Sequence, residues 1–144
     1  MNHDLSVTGT IDIAATPEKV WSGMTEPDII KQYLYGTNTE TDWKVGSEIA
    51  FTGEWEGQTY RDHGVIKSNV PGKELSYSYW SGFSGTEDKP ENYSLVTYRI
   101  EPKSDGITTL HWIQQGYATQ EGYDHSKSGM DEFMKNIKQV IENA

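Results

Sequence analysis

The chain has 144 residues and no cysteine, and its 12 basic and 22 acidic residues give a net charge of −10 at pH 7. A chain of this length forms one domain, residues 1–144, around one core. The acidic charge argues against nucleic acid and anionic membrane partners, since both require clustered cations. Disulfides and thiolate chemistry are excluded. No leader-like or span-length apolar run is visible, so a cytoplasmic location without membrane contact is the default expectation.

The first third of the sequence predicts one strand followed by two short helices. The strand shows apolar and small residues at every second position, namely Leu5, Val7, Gly9, Ile11 and Ile13. Thr16-Pro17-Glu18 is typical of a helix start, because threonine caps, proline suits the first turn and glutamate complements the dipole. The segment 25–28 repeats this signal. We expect the two helices to cover one end of a curved sheet.

From residue 39 onward the pattern predicts antiparallel strands separated by turns, about six in all. Apolar residues alternate in segments near 48–55, 59–70, 73–80, 93–101 and 107–115. Glu56-Gly57-Gln58, Pro71-Gly72 and residues 102–106 are the predicted turns. Ser81 to Asn92 is a long polar loop and the expected gate of any site.

The last stretch, from about Gly122, predicts a long amphipathic helix. Its apolar positions follow the three-and-four spacing of one helical face: Met130, Phe133, Met134, Ile137, Val140 and Ile141. Such a stripe must be buried against another layer. The residues therefore predict an α+β fold in which a meander of strands receives this helix on its concave face.

Several segments, in this order and spacing, resemble one family. They are Ile13-Ala14-Ala15-Thr16-Pro17-Glu18-Lys19-Val20-Trp21, Asp42-Trp43-Lys44-Val45-Gly46-Ser47, Gly64-Val65-Ile66, Pro71-Gly72-Lys73-Glu74-Leu75, Thr109-Leu110 and Gly116-Tyr117. The chain resembles single-domain bacterial members of the activator of heat-shock protein 90 ATPase homologue family, within the START-like (SRPBCC, helix-grip) superfamily.

The resemblance implies a helix-grip (START/Bet v-like) fold, in which about seven strands wrap around the C-terminal helix and enclose a deep apolar cavity. It does not imply one function, since the superfamily includes lipid carriers, cyclases, hormone receptors and chaperone co-factors. Many relatives carry tryptophan where this chain has Met130. Methionine is more adaptable, so we expect a wider or more easily repacked cavity floor.

The aromatic content, 12% of the chain, favours a pocket for an apolar or aromatic molecule. The same rings could instead simply fill the core. The candidate ligand-binding residues are Trp21, Phe51, Trp55, Tyr98, Trp112, Gln114, Met130, Phe133, Met134 and Ile137. Gln114 is singled out because a buried amide needs partners. The face taken by Tyr60 and His63 stays open, because their strand is apolar on both sides.

Catalytic and metal-binding patterns are not found in the sequence, and no cofactor is expected. Asp62 and His63 are adjacent on a strand, so their side chains point to opposite faces and cannot form an acid-base pair. Three hypotheses remain: a non-enzymatic binder of a small apolar or aromatic ligand, a chaperone partner, and a cyclase- or dehydratase-type enzyme using His63 or Tyr98. The oligomeric state, monomer or homodimer, stays open.

Overall fold

The computed structural model describes residues 2–34, 36–82, 86–117 and 119–144, and the side chains of residues 2–4 and 55 lie outside this description. The strands are β1 (Asn2–Ile13), β2 (Asn38–Glu40), β3 (Glu48–Trp55), β4 (Gln58–Val70), β5 (Glu74–Tyr79), β6 (Ser94–Ser104) and β7 (Ile107–Tyr117). The α-helices are α1 (Pro17–Thr25), α2 (Pro27–Tyr33) and α3 (Gln120–Glu142).

The strands form one antiparallel sheet in the order β1-β7-β6-β5-β4-β3-β2. Strands β2 to β7 follow one another as a meander, and β1 joins the far edge beside β7. The sheet is irregular in β4, where the pairing with β5 shifts register between Ile66 and Ser68. A Cβ atom added at Gly64 would lie 1.6 Å from the Ser78 carbonyl oxygen, so only glycine permits this close approach. The predicted α+β helix-grip fold is confirmed.

Both predicted helix starts lead into helices, but only the first has the predicted threonine cap, because Thr25 is the last residue of α1 and α2 begins without a side-chain cap. Thr16 caps α1 by accepting a hydrogen bond from the Lys19 backbone N–H at 3.3 Å. Glu56 and Gly57 have positive φ angles of 50° and 79°, which suit a two-residue hairpin turn between β3 and β4. Strand β2 was not recognised, because three residues are too few to show alternation.

The long helix lies on β1, at one side of the sheet. A Cβ atom at Gly9 would come within 2.7 Å of Met134 Cγ and 2.8 Å of Met130 Cγ, so the absence of a side chain at Gly9 allows the helix to approach the strand closely. The predicted stripe is confirmed, since Met130, Met134, Ile137 and Ile141 are buried. None of the helices in the described ranges is long and apolar enough to cross a membrane.

Polar contacts tie the end of α3 to the corner between β1 and α1. Lys138 Nζ donates to the Asp12 carbonyl oxygen at 3.0 Å, and the Ala14 backbone N–H donates to Glu142 Oε2 at 2.8 Å. Lys138 and Glu142 also form an ion pair one helical turn apart. The contact of Lys138 with the Glu142 carboxyl, followed by the hydrogen bond from the Ala14 backbone N–H, holds the pKa of Glu142 below its usual value. These contacts fix the position of α3 relative to both elements.

Candidate functional site

Aromatic rings fill the interior between the helices and the sheet. Tyr98 on β6 and Trp112 on β7 are register partners, and their rings stack with centroids 5.6 Å apart. Phe133 of α3 meets the Trp112 ring edge-on at 5.0 Å, and Trp21 of α1 meets Tyr98 edge-on at 6.5 Å. Both arrangements are favoured by the ring quadrupoles. One ring cluster thus joins α1, α3 and two strands.

Two buried tyrosine hydroxyls hold α1 in place. Tyr33 Oη donates to the Gly23 carbonyl oxygen at 3.0 Å, and Tyr98 Oη donates to the Met24 carbonyl oxygen at 3.1 Å. Burial raises the pKa of both tyrosines well above 10, so both hydroxyls stay protonated donors at neutral pH. Both accepting carbonyls lie in the last turns of α1. Tyr33 of α2 and Tyr98 of β6 therefore fix this end of α1 in position.

A small void of about 20 Å³ remains beneath α1 and α2, which together we call the roof. It is lined by Met24, Ile30, Tyr33, Leu34, Thr39, Trp43, Ile49, Phe51, Tyr77, Tyr98 and Trp112. A void of this size holds about one water molecule. The interior in this conformation is therefore far more filled than the deep cavity that the family resemblance implies.

The ten candidate ligand-binding residues occupy different places. Of the nine candidates whose side chains are described, only Phe51, Tyr98 and Trp112 line the void. The others that the structure describes are Trp21 and Phe133 at the rim of the ring cluster, Met130 and Met134 against Gly9, Ile137 fully buried in the core, and half-buried Gln114. Gln114 Nε2 donates to Ser94 Oγ at 3.0 Å, so its amide nitrogen has a protein partner. The side chain of Trp55 lies outside the described part of the structure.

Sequence reasoning did not include several residues that line the void. Tyr33, Thr39, Trp43 and Tyr77 are the largest omissions with polar atoms. Tyr77 lies in the predicted strand 73–80, and it is buried on β5. Trp43 lies in an irregular segment with a positive φ of 66°, which no periodicity could reveal. The only available signal for Tyr33 was its helical spacing in α2.

Buried polar atoms without partners concentrate on the inner face of β2, β3 and β4, which we call the arm half. Thr39 is paired in register with Phe51, and Phe51 with Asp62, so the three side chains form one row across these strands. Thr39 is 4% exposed and Asp62 is 7% exposed. Within the described residues, four buried side-chain atoms have no hydrogen-bond partner: Thr39 Oγ1, Asp62 Oδ1 and Asn69 Oδ1 lie on these strands, and Tyr117 Oη lies on β7. Such groups are costly to leave unpaired.

The register also decides the orientation of Tyr60 and His63. Tyr60 points inward, and its hydroxyl lies 2.6 Å from Thr37 Oγ1. His63 points outward, where its Nε2 lies 3.0 Å from Asp88 Oδ2 and its ring meets Trp80 at 5.6 Å. The outer face there forms an open groove of about 770 Å³, which runs from Glu48 on β3 to Gly116 on β7.

The arrangement offers little for acid-base catalysis by the residues considered from sequence. Asp62 and His63 do point to opposite faces of β4, as alternation requires. Of the two residues that the enzyme hypothesis named, His63 lies on the outer face and the Tyr98 hydroxyl donates to α1. Among the residues whose positions are described, no group of three His, Cys, Asp or Glu side chains could hold a metal ion.

Comparison with solved structures supports the same architecture. A protein from Cytophaga hutchinsonii, known from its solution structure, is 34% identical, with 99% of this chain and 97% of that chain covered and a TM-score of 0.82. The Aha1 dimer from Colwellia psychrerythraea (16% identity, 96% of each chain, TM-score 0.73) and an HSP90 activator from Plasmodium falciparum (17% identity, 95% and 96%, TM-score 0.74) share the fold. A search among curated proteins gave no match.

The family comparison covers nearly the whole chain. The profile of one family, described as Activator of Hsp90 ATPase homolog 1-like protein, matches residues 14–142. This span runs from the end of β1 to the last turn of α3, so it includes both roof helices, the ring cluster and the arm half. The chain therefore belongs to the Activator of Hsp90 ATPase homolog 1-like family.

Proposed function

We propose that this domain binds a small apolar or aromatic molecule between α3 and the sheet. The observation that carries the proposal is the aromatic cluster around a residual void, which is roofed by two short helices. Large rings with hydroxyl tips suit a site that is apolar in its body and selective at a few points. The ligand would replace part of the contact between the α1–α2 roof and the rings of Phe51, Tyr98 and Trp112.

Binding requires the roof to move, because the void of about 20 Å³ is much smaller than a ligand pocket. Pockets for drug-sized molecules measure roughly 300–1,000 Å³. Helices α1 and α2 contain 9 and 7 residues, and helices this short depend on tertiary contacts for stability. Met24, which lines the void from α1, has an unbranched side chain that can repack around a guest.

Calorimetric titration with 1-naphthalenemethanol tests the proposal directly. We expect the wild-type protein to bind this probe, and we expect Trp112→Ala to weaken binding by about tenfold, a loss of roughly 1.4 kcal/mol. Leu110→Ala is the matched control, because Leu110 lies two residues away on β7, is fully buried and does not line the void. It should lower stability without a comparable effect on affinity.

Native mass spectrometry of the protein purified from its own host gives a second test. Retention of a stoichiometric apolar compound supports the proposal and identifies the ligand. The proposal fails if no retained molecule is found and 1-naphthalenemethanol does not bind the folded protein.

A chaperone partner is the second candidate, and the family description is the observation that favours it. The net charge of −10 would favour a basic partner surface, with binding that weakens as salt rises. The test is capture of the host's Hsp90-type chaperone on the immobilised protein at low salt, with a charge-matched unrelated acidic protein as control. Equal recovery on both would rule out this function.

A further inference from the structure

Asp62 is a buried acidic residue whose carboxyl group has only part of the hydrogen bonding that such a group normally has. The residue is 7% exposed and lies on the inner face of β4, in register with Phe51. Tyr79 Oη donates to Asp62 Oδ2 at 2.9 Å, whereas Oδ1 has no partner among the described residues. A buried carboxyl oxygen normally accepts a hydrogen bond, so Oδ1 is an acceptor that a ligand could use.

The Tyr79 contact leaves Oδ1 as the available acceptor. Burial and the neighbouring Asp62 raise the pKa of Tyr79 well above 10, so the tyrosine remains a donor at neutral pH. In the described part of the chain, no lysine, arginine or histidine forms an ion pair with Asp62. A ligand that supplies both a hydrogen-bond donor and a positive charge would give Asp62 Oδ1 a hydrogen bond and neutralise the charge of the carboxyl group.

Two aromatic residues are neighbours of Asp62, since Phe51 is its register partner on β3 and Tyr79 donates to its carboxyl group. The Phe51 ring lies 5.6 Å from the Tyr77 ring and 5.7 Å from the Tyr79 ring. Ring faces beside a carboxyl group form an environment that attracts ammonium groups, through cation–π contact and charge together. The overall negative charge adds a weaker, long-range attraction for cations.

We propose that Asp62 is the polar anchor of the interior site and that its ligand carries a protonated amine on an aromatic or apolar body. The amine donates to Asp62 Oδ1, and the apolar body lies against the ring of Phe51 toward the void. The hydroxyl of Thr39, at the other end of the same row and roughly 10 Å away by strand spacing, can bind a second polar group. This inference rests on the proposed ligand-binding function.

The test compares two nearly isosteric probes by calorimetry at neutral pH: 1-naphthylmethylamine, which is protonated, and 1-naphthalenemethanol, which is neutral. We expect wild-type protein to bind the amine about tenfold more tightly than the alcohol. Asp62→Asn keeps the shape but loses the charge, and it should abolish this preference while changing alcohol affinity little. Asp131→Asn, an exposed change on α3, removes the same charge and should leave the preference intact.

The outcomes separate the two proposals. Equal wild-type affinity for both probes overturns the role of Asp62 but leaves the ligand-binding function standing, and this comparison needs no variant. The preference for the amine could instead persist in Asp62→Asn or disappear in Asp131→Asn. Either result would assign the preference to the overall charge of the protein and would also overturn the role of Asp62. If neither probe binds, the role of Asp62 is overturned, and if native mass spectrometry also finds no retained molecule, the ligand-binding function is overturned as well.

Discussion

The two halves of the inner face differ in how their buried polar groups are satisfied. In the half under α3, formed by β1, β6 and β7 and here called the covered half, Thr108 Oγ1 donates to the Ala15 carbonyl oxygen at 2.7 Å and Tyr98 Oη donates to Met24. In the arm half, the hydroxyl of Thr39 and one oxygen of Asp62 have no partner among the described residues. Among these residues, Tyr117 Oη on β7 also has no partner, so three of the four unpaired buried atoms lie in the arm half and one in the covered half. Unpaired buried groups lower stability, so their concentration in the arm half favours a binding role there.

The largest expected effect comes from deleting volume in the covered half. Ile137 of α3 is completely buried, so Ile137→Ala should lower the free energy of unfolding by about 3 kcal/mol through lost burial and a cavity. Urea unfolding followed by circular dichroism measures it. Lys135→Ala on the exposed face of α3 should change stability little. A loss below about 1 kcal/mol for Ile137→Ala would mean that α3 is packed more loosely than described.

Adding volume where α3 meets β1 should have the next largest effect. In Gly9→Ala the new methyl group would meet Met134 and Met130 at less than 3 Å, so we expect a loss of about 2 kcal/mol in unfolding free energy. Gly129→Ala is the control, because a Cβ there meets no atom within 4 Å and alanine favours a helix. Thermal unfolding of both variants distinguishes them. Equal stability would contradict the close seating of α3 on β1.

A matched pair of threonine substitutions compares the two halves directly. Thr108→Val removes a made hydrogen bond and leaves the Ala15 carbonyl unpaired, which should cost about 1–2 kcal/mol. Thr39→Val removes a hydroxyl without a partner, so stability should stay unchanged or rise by up to about 1 kcal/mol. Denaturant titration of the two variants checks the sign. If both variants lose the same free energy of unfolding, the two halves do not differ in the hydrogen bonding of their buried threonines.

The smallest effect concerns pH. The pKa of Glu142 is lowered by Lys138 first and then by the Ala14 backbone N–H, relative to an ordinary value of 4.5. A lowered pKa in the folded state stabilises fully above the unfolded value and loses this contribution as pH falls below 4.5 toward the folded value. Glu142→Gln should therefore lower the melting temperature at neutral pH and differ less from wild type in acid. Glu132→Gln, an exposed change on α3, should show no such convergence.

Much of the fold could be predicted from sequence because local chemistry dictates it. Strands β1, β3 and β5 to β7 show clear alternation, β4 is recognisable as a strand although it is apolar on both sides, and the stripe of α3 follows helical spacing. Strand β2 has no such signal, since three residues become a strand only by pairing with β3. The faces of Tyr60 and His63 were undecidable for a related reason, because only pairing with β3 sets which side of β4 faces the core.

The candidate site was less predictable than the fold. Phe51, Tyr98 and Trp112 were identified from strand alternation, and all three line the void. Asp62 was considered only as a partner for His63, because adjacency in sequence does not show which carboxyl oxygen remains unpaired after folding. The same limit applies to Gln114, whose partner Ser94 lies 20 positions away in the chain.

The sequence by itself determined the order of elements apart from β2, the apolar stripe of α3, the Thr16 cap and the turns, since each depends on residues within a few positions of one another. The tertiary structure decided that α3 lies on β1 through Gly9, that rings and α1 nearly fill the interior, and that Asp62 is buried with one oxygen that no described residue pairs. These features depend on distances between elements that are remote in the chain. Packing density and hydrogen-bond satisfaction arise only when those elements meet.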